Sequence, residues 1–371
     1  KNRMSQSSLR KVLIVVGTRP NFIKVTQFKK EFERYKDLDV TIVHTGQHYD
    51  AKMADVFFDQ FRLRPDHFLN IGKGTANQQM AEIMVSLEKV LQEISPRLII
   101  VVGDVNSTLA AAITANKMNI TIAHLESGLR SGDMTMPEEI NRILTDKITD
   151  YYFITEQSGL DHLSEEGQDP GAMHFVGNTM IDTMVAFEKE IEAADILEKL
   201  ALKAKEFVLM TMHRPATVDH KDQLEKLLSL MEMVTSAHDL VFPIHPRTIK
   251  SIESFGLKER LEKIQRLRIT EPMGYFSFQK LVKHAAFILT DSGGIQEEST
   301  FRKVPCLTLR PNTERPSTVT MGTNELVTFE LDILKSKIEE IRSGSYKKGQ
   351  VPPLWDGRST ERIVSLLDKI L

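Results

Sequence analysis

The chain has 371 residues, of which 41% are hydrophobic and 27% are charged, and its formal net charge is -3. Its composition is typical of a soluble globular protein, and its length predicts two domains, since a domain usually takes roughly 100–200 residues. The 48 Lys and Arg residues are nearly balanced by 51 Asp and Glu residues, which argues against a nucleic-acid-binding protein, because such proteins usually carry a basic surface.

Cysteine content and hydropathy restrict the compartment and the kinds of site. Cys306 is the only cysteine, so an internal disulfide and a multi-cysteine zinc site are excluded, and a reducing compartment is expected. The first ten residues are polar and do not read as a signal peptide. No apolar run approaches the roughly 20 residues that span a bilayer. We therefore expect a cytoplasmic protein without a membrane partner.

Short apolar, β-branched runs alternate with longer helical patterns, which predicts an α/β protein with parallel sheets covered by helices on both faces. The pattern occurs twice. In the first half the predicted strands are 12–16, 40–44, 98–102, 121–124, 152–154 and 174–176. In the second half they are 207–210, 241–244, 268–270, 287–290 and 306–309. The predicted helices include 24–35, 76–92, 107–116, 223–237 and 279–284.

The two halves of the pattern predict domains over residues 9–185 and 186–355, with the join near 178–200 in Met- and Glu-rich helical sequence. A third segment, 356–371, carries a final amphipathic helix. Its apolar residues recur at helical spacing, so one face must be buried. This helix could cross back to the first domain, which periodicity alone does not decide.

Ligands of open α/β sheets bind beyond the carboxyl ends of the strands. A glycine turn, Ser292-Gly293-Gly294, follows a predicted strand and opens a helix, so its free N–H groups can hold a phosphate. Glu298, one helical turn further on, can accept hydrogen bonds from a ribose diol. The alternative is an ordinary capped glycine turn.

Cations follow other predicted strands. Arg19 and Lys24 come after the first strand, and Arg315 lies near the end of the second half. Arginine suits bidentate phosphate recognition, and lysine supplies a point charge. The alternative is surface salt bridging. His213 also follows a strand and could donate to a phosphate or assist a leaving group, although such a histidine is often only structural.

Carboxylates cluster at the strand ends of the first half. Asp104 and Glu126 directly follow two predicted strands, and a helix beginning at Pro137 carries Glu138 and Arg142 four residues apart on one face. These residues can pair or point together into a site; the alternative is ordinary helix-end electrostatics. His124-Leu-Glu126 matches the His-x-Glu of zinc deaminases, but the Cys-x-x-Cys that accompanies it in those enzymes is absent. No metal is therefore expected.

Taken in order, the motifs resemble those of the non-hydrolysing UDP-N-acetylglucosamine 2-epimerases and cover residues 11 to about 327. They are Gly17-Thr-Arg-Pro, Gly103-Asp, His124-Leu-Glu-Ser-Gly-Leu-Arg, Pro137-Glu-Glu-Ile-Asn-Arg, Gly177-Asn-Thr, Thr290-Asp-Ser-Gly-Gly-Ile-Gln-Glu-Glu and Thr313-Glu-Arg-Pro. The resemblance implies two Rossmann-like doubly wound parallel-sheet domains facing a central cleft, as in GT-B glycosyltransferases, and a homodimer without a cofactor.

The resemblance also implies roles for single residues. The UDP-binding set is Arg19, Lys24, Phe278, Ser292, Gly293, Gly294, Glu298 and Arg315, and the catalytic set is Asp104, Glu126, Glu138, Arg142 and His213. The family reaction would then eliminate UDP from C1 as C2 loses its proton, giving a 2-acetamidoglucal, and would return the proton to the opposite face. Crowded carboxylates would supply the proton donor and acceptor.

Three departures from the family pattern bear on activity. Ala216-Thr217 replaces the usual Glu-Asn after His-Arg-x, so we expect a supporting hydrogen bond to be missing. Gln47-His48-Tyr49-Asp50 and Lys73-Gly74-Thr75 lack the arginines of allosterically activated members, which argues against activation by substrate. Asn21-Phe22 replaces the frequent Glu-Ala or Glu-Ile, which leaves room for a modified sugar.

Four rival functions fit parts of the sequence. A GT-B glycosyltransferase would share the fold and the phosphate site but would need an acceptor. A hydrolysing epimerase would release free sugar. A non-catalytic sugar-nucleotide sensor would leave the carboxylates unexplained. An NAD-dependent enzyme is disfavoured because no Gly-x-Gly-x-x-Gly follows a strand.

Overall fold

The computed structural model describes residues 9–46 and 57–371, which form two compact units. One unit contains the chain up to Ala186 together with Pro353–Leu371, and the other contains Phe187–Pro352. The predicted domain boundaries therefore differ from the observed limits by one residue at the first crossing and by three at the second.

The described part of the first unit contains a seven-stranded parallel sheet. Its strands are β1 (Arg10–Val16), β2 (Leu38–His44), β3 (His67–Phe68), β4 (Leu98–Val102), β5 (Thr121–Leu125), β6 (Tyr151–Ile154) and β7 (Met173–Phe175). They lie in the order β3-β2-β1-β4-β5-β6-β7. The order reverses between β1 and β4, which marks the point where doubly wound folds bind ligands.

Helices cover this sheet because its central strands are apolar on both faces; all five residues of β4, for example, are buried. The helices are α1 (Arg19–Ile23), α2 (Phe28–Phe32), α3 (Ala76–Ile94), α4 (Asn106–Lys117), α5 (Pro137–Lys147), α6 (Gln157–Glu165) and α7 (Thr179–Ala186), with a 3-10 turn at Pro170–Ala172. Residues 57–60 are also helical. Thr75 and Gln78 form a capping box that starts α3.

The second unit repeats the topology with six parallel strands in the order β10-β9-β8-β11-β12-β13. These are β8 (Phe207–Thr211), β9 (Asp239–Pro243), β10 (Leu267–Thr270), β11 (Phe287–Thr290), β12 (Cys306–Thr308) and β13 (Asn324–Leu326). Here the order reverses between β8 and β11. The sequence-based prediction of two Rossmann-like parallel-sheet domains is confirmed.

The helices of the second unit connect these strands. They are α8 (Glu188–Ala193), α9 (Ile196–Lys199), α10 (Pro215–Val218), α11 (Lys221–Thr235), α12 (Pro246–Ser254), α13 (Lys258–Glu262), α14 (Tyr275–His284), α15 (Gly293–Arg302), α16 (Ser317–Thr320) and α17 (Leu331–Ser343).

Both faces of the second sheet are packed. Successive residues of β8 belong to different apolar clusters: Val208 and Met210 pack with Leu227 on one face, and Leu209 packs with Ile288 on the other. This alternation follows from the two-residue side-chain period of a strand. Cys306 is buried in the second cluster, as expected for core packing, and burial raises the pKa of its thiol to about 11.

One predicted helix is wrong in its bounds. The sequence predicts a helix over 24–35, whereas the chain is helical from Arg19, leaves the helix at residues 24–27 and resumes at Phe28. Pro20 stands in the first turn of α1, where proline is favoured because no intrahelical N–H is needed there. This early start places Lys24 at the end of α1.

The chain returns to the first unit after Pro352 and ends in α18 (Ser359–Ile370). Trp355, the single tryptophan, is buried and donates its indole N–H to the Thr155 carbonyl at 2.9 Å. Asp182, in α7, accepts hydrogen bonds from the backbone N–H groups of Ser359 and Thr360 at 3.1 and 2.6 Å. The first turn of α18 is therefore capped by a residue that lies far away in the sequence.

Across residues 9–46 and 57–371, no helix combines the length and the apolar character needed to cross a membrane.

Asp182→Ala removes the acceptor for these two N–H groups, which would be left buried without a partner. Since an unsatisfied buried polar group costs about 1–3 kcal/mol, we expect the free energy of unfolding of the first unit to fall by about 2–4 kcal/mol. Urea titration followed by Trp355 fluorescence measures this change. Glu165→Ala, at an exposed site of the same unit, is the control; equal losses in both variants would contradict the capping role.

Candidate active site

Side chains with chemical function gather where each sheet reverses its strand order. In the first unit, α1 follows β1, the Gly103-Asp104 turn follows β4, and Glu126 follows β5. In the second unit, His213 follows β8, and Ser292-Gly293-Gly294 follows β11. Each unit therefore places its predicted site residues at the expected edge of its own sheet.

Arg19 is the first residue of α1 and is exposed. Its guanidinium lies over the ring of Phe57, 5.3 Å from the ring centroid, in a cation–π contact. The predicted loop is thus a helical turn that holds Arg19 at the sheet edge with its charge accessible.

Lys24 and Glu126 form a buried ion pair, with 2.6 Å between the ammonium nitrogen and Oε2. Both side chains are less than a tenth exposed. Gly103 lies against this pair: a Cβ added there would stand 3.6 Å from Glu126 Oε2 and 3.7 Å from Lys24 Nζ. Its φ of +72° also favours glycine. The structure therefore brings Lys24 next to a carboxylate that the sequence assigned to a different set.

Glu126 adopts φ of +71°, in the left-handed region that non-glycine residues rarely occupy. Its backbone N–H donates to the Phe153 carbonyl of β6 at 3.1 Å, and its side chain pairs with Lys24. Such strain persists only where surrounding contacts impose it, and it is concentrated at functional sites. Glu126 is thus held from both its backbone and its side chain.

Arg142 joins Asp104 to Glu139. Its guanidinium pairs with the Asp104 carboxylate and donates from Nη2 and Nε to Glu139 Oε2 at 2.7 and 3.0 Å. The spacing allowed Glu138 either to pair with Arg142 or to point with it into a site. The described partner of Arg142 in this helix is instead Glu139, which is buried, whereas Glu138 is exposed. Arg142 is fully enclosed, so both of its carboxylate partners are fixed.

Glu139 is a residue that the sequence reasoning missed. It accepts hydrogen bonds from the backbone N–H groups of Ser131 and Gly132 at 2.9–3.0 Å as well as from Arg142. Burial favours the neutral acid, but these donors outweigh burial and hold the pKa of Glu139 below its ordinary value. The Pro137-Glu138-Glu139 sequence contained both carboxylates, and helical spacing alone did not distinguish them.

His124, in β5, contacts both the Gly103-Asp104 turn and α5. Its Nε2 lies 2.7 Å from the Gly103 carbonyl, and its Nδ1 lies 2.6 Å from Asp146 Oδ1. The Gly103 carbonyl can only accept, so Nε2 donates to it. Burial opposes ionisation of Asp146, but His124 and Arg130 outweigh it and lower the pKa of Asp146. His124 therefore stabilises the turn that carries Asp104.

The glycine turn of the second unit begins α15, with Ser292 as its N-cap. A Cβ added at Gly293 would lie 3.0 Å from Glu314 Oε1 and 3.1 Å from Arg315 Nη1, so this backbone lies directly against two charged side chains. No heavy atom stands within 4 Å of a Cβ added at Gly294. The turn thus offers helix-start N–H groups beside open space and a nearby arginine.

Arg315 is buried and pairs with Glu297 at 2.9 Å and with Glu314. Arg310, in the segment after β12, pairs with the other oxygen of Glu314 at 3.1 Å. Burial lowers the pKa of Arg310, and the positive charges of Arg214 and Arg315 add to that effect. Arg310 and Arg315 therefore both lie beside Gly293, together with the carboxylate of Glu314 that they share.

Arg310 was not predicted, although it follows a predicted strand as the other site residues do. Its Nε and Nη1 are buried and make no hydrogen bond within the part of the chain that the structure describes. Nη1 lies 3.7 Å from the position of a Cβ on Gly293. A buried arginine with unused donors beside a helix start is suited to an anionic ligand.

Glu298 is buried in α15, close to Gln279 and Tyr275 of α14. Burial raises the pKa of Glu298 to about 7; the Gln279 amide opposes this effect and the charge of Glu297 adds to it. Oε2 of Glu298 accepts no hydrogen bond from any described residue. Phe278, from the predicted uridine set, is partly buried on the apolar cluster beneath α14.

The structure places two of the residues that depart from the family pattern, Phe22 and Ala216. Phe22 is fully buried and fills the core; its ring centroid lies 5.6 and 4.8 Å from those of Phe57 and Phe58. Ala216 is exposed in α10. The motif Gln47-His48-Tyr49-Asp50 lies outside the described residues.

The model of the UDP-N-acetylglucosamine 2-epimerase family matches residues 30–368. The chain belongs to this family. UDP-N-acetylglucosamine 2-epimerase of Methanocaldococcus jannaschii is 39% identical over 363 residues, which are 96% of this chain and 98% of that protein.

A solved structure of the same enzyme and one further relative extend the comparison for this epimerase family member. The crystal structure of the M. jannaschii enzyme in complex with UDP-GlcNAc and UDP aligns with a TM-score of 0.87 at 38% identity, over 97% of this chain and 99% of that chain. UDP-2,3-diacetamido-2,3-dideoxy-D-glucuronate 2-epimerase of Pseudomonas aeruginosa is 36% identical over 97% of this chain and 100% of that protein. The curated relatives thus include enzymes for plain and for modified sugars.

Glu298→Gln tests the buried carboxyl. Because its folded-state pKa of about 7 exceeds the ordinary 4.5, the stability of the native chain falls as pH rises from about 4.5 through 7, and the neutral amide avoids this loss. We expect the variant without ligand to exceed the native chain by about 2–3 kcal/mol at pH 8 and to match it at pH 4.5. Thermal unfolding at both pH values measures this; a gain independent of pH, or a similar gain in the exposed Glu253→Gln control, would contradict it.

Proposed function

We propose that this chain is a non-hydrolysing epimerase that inverts C2 of a UDP-linked 2-acetamido sugar. Family membership supports the reaction class, and the anion-binding groups of the second unit support a nucleotide diphosphate as the leaving group. The observation that carries the proposal is that each of two candidate proton-transfer carboxylates, Asp104 and Glu126, is held by its own buried cation.

The chemistry requires departure of UDP before or as the proton leaves, because C2 of the sugar has no neighbouring carbonyl to stabilise a carbanion. As the C1–O bond breaks, its electron pair goes to the UDP oxygen, and positive charge on the ring makes the C2 hydrogen acidic. Cations and N–H dipoles at the diphosphate stabilise the negative charge that develops. Arg19, Arg315, His213 and the Ser292–Gly294 backbone are the proposed groups, and Arg310 joins them.

Proton transfer is assigned to Asp104, Glu126 and Glu138. One carboxylate removes the C2 proton to give the 2-acetamidoglucal, another returns a proton to the opposite face, and UDP then adds back to C1. Lys24 and Arg142 orient Glu126 and Asp104 through ion pairs, and fixed polar groups of this kind need no reorganisation during the reaction. The carboxyl that returns the proton is in its acid form at that step. Glu138 is exposed, so it is the member of the set that is free to rearrange with substrate.

Nucleoside recognition is assigned to Phe278 and Glu298. The Glu298 carboxyl oxygen that lacks a described partner would accept a ribose hydroxyl, and Phe278 would contact the uracil ring. At neutral pH the carboxyl titrates, and a ribose diol that donates to it favours the ionised acceptor.

The substrate sugar is N-acetylglucosamine or a relative that carries further substituents. The similarity to the diacetamido-glucuronate epimerase of P. aeruginosa favours keeping modified sugars in the test, since its identity of 36% is close to that of the M. jannaschii enzyme. Homodimer formation and a cytoplasmic location, which the sequence predicts, belong to the same proposal.

Incubation with UDP-GlcNAc in D₂O tests the reaction. We expect deuterium to replace hydrogen at C2 while UDP-ManNAc accumulates, because the proton taken from one face exchanges with solvent before it returns to the other. Proton NMR follows both changes. Free sugar and UDP would show hydrolysis instead, and absence of exchange with UDP-GlcNAc and with its diacetamido-glucuronate counterpart would refute the epimerase.

Glu126→Gln and Asp104→Asn keep the shape of each side chain but remove its basicity. We expect each to lower kcat by about 10²-fold or more, the scale of general acid–base catalysis. Initial rates and calorimetric UDP binding measure the two effects separately. Asp161→Asn, which changes an exposed carboxylate of the same unit, should retain full activity; near-normal kcat in both Glu126→Gln and Asp104→Asn would refute the assignment.

A further inference from the structure

His213 and Asp291 form a close pair at the strand-order reversal of the second unit. Nδ1 of His213 lies 2.8 Å from Oδ1 of Asp291. Asp291 is fully buried directly after β11, whereas the His213 side chain after β8 is 59% exposed. A buried carboxylate therefore contacts one edge of an accessible imidazole.

Asp291 is itself fixed in place. Its other oxygen, Oδ2, accepts hydrogen bonds from the backbone N–H groups of His213 and Arg214, both at 2.9 Å. Burial opposes ionisation, but the contacts of His213 and of these N–H groups outweigh it and hold the pKa of Asp291 below its ordinary value. The carboxylate is thus charged, aligned by the backbone and unable to donate a hydrogen bond.

A charged carboxylate at Nδ1 determines which ring nitrogen of His213 carries hydrogen. Since an ionised Asp291 only accepts, the 2.8 Å approach of Oδ1 to Nδ1 favours hydrogen on Nδ1, which leaves Nε2 as the atom presented to a ligand. No described residue forms a hydrogen bond with Nε2. The second unit therefore presents one defined nitrogen next to the Ser292–Gly294 turn, which Asp291 directly precedes in the sequence.

We propose that Asp291 is a positioning residue that fixes His213 with Nδ1 protonated and Nε2 directed to the departing diphosphate. This rests on the proposed function for the ligand at Nε2, but the tautomer itself follows from the pair alone. In the elimination step, Nε2 in its protonated form donates to the UDP oxygen that receives the C1–O electron pair, and Asp291 stabilises the positive charge of the ring. Without Asp291, His213 would lose both the orientation and the compensating charge.

Asp291→Asn tests the pair with little change in shape. The amide oxygen can still accept from the two backbone N–H groups, but the amide nitrogen then faces Nδ1, which must become an acceptor. We expect ¹⁵N NMR of His213 at alkaline pH to change from a protonated Nδ1 to a protonated Nε2. We also expect kcat to fall by about 10²-fold or more, while the Kd for UDP changes by no more than about threefold because the glycine turn is intact.

A double-mutant cycle separates positioning from general structural damage. If Asp291 acts through His213, Asp291→Asn should cost kcat almost nothing further in a His213→Gln background, since contacting residues that act together are non-additive. A purely structural Asp291 would instead lower kcat by the same factor in both backgrounds, and this result would overturn the proposal. Glu192→Gln removes a carboxylate beside His284 in the same unit and serves as a control that should leave His213 and kcat unchanged.

The native protein provides a measurement that does not depend on a folded variant. Its His213 should show the Nδ1-protonated neutral tautomer at alkaline pH, and a protonated Nε2 there would overturn the proposal even if Asp291→Asn did not fold. The tautomer measurement needs no turnover. An inactive protein with Nδ1 protonated would refute the epimerase and leave the pair, whereas an active epimerase with Nε2 protonated would refute the pair and leave the reaction.

Discussion

Buried charge at the sheet edges has to be paired, and this constraint organises the rest of the structure. An ion removed from water is strongly destabilised unless an opposite charge and hydrogen bonds replace its hydration. Lys24 therefore pairs with Glu126, and Arg142 joins Asp104 to Glu139. The Lys24–Glu126 and Arg142–Asp104 pairs connect segments that are distant in sequence, so these charges also fix the geometry of the turns.

The two units use the same topology for different electrostatic purposes. In the first unit, carboxylates at the strand ends are held in defined positions by buried cations. In the second unit, Arg310 and Arg315 lie beside a helix start, where N–H dipoles and cations together favour an anion. A leaving group that becomes more negative and a carbon that loses a proton need these two environments, and the proposed reaction uses both.

Fixed side chains reduce the reorganisation that catalysis would otherwise require. Glu126 is kept in an uncommon backbone conformation, and His213 is held by a buried carboxylate. Groups that are already oriented towards developing charge stabilise a transition state without further rearrangement. Phe22 serves the same purpose indirectly, because its packing against Phe57 and Phe58 supports the helical turn that carries Arg19.

The sequence by itself determined the alternating strands, the two Rossmann-like sheets, and the position of Arg19, Glu126, His213 and the glycine turn after strands, because periodicity and strand-end placement are local properties. Only the tertiary structure decided which charges meet. Helical spacing did not distinguish Glu138 from Glu139 as the partner of Arg142, and nothing local paired Lys24 with Glu126 or placed α18 on Asp182. The Lys24–Glu126 and α18–Asp182 contacts join residues distant in sequence, and the choice of Glu139 over Glu138 depends on which side of the helix is buried. A one-dimensional pattern specifies neither.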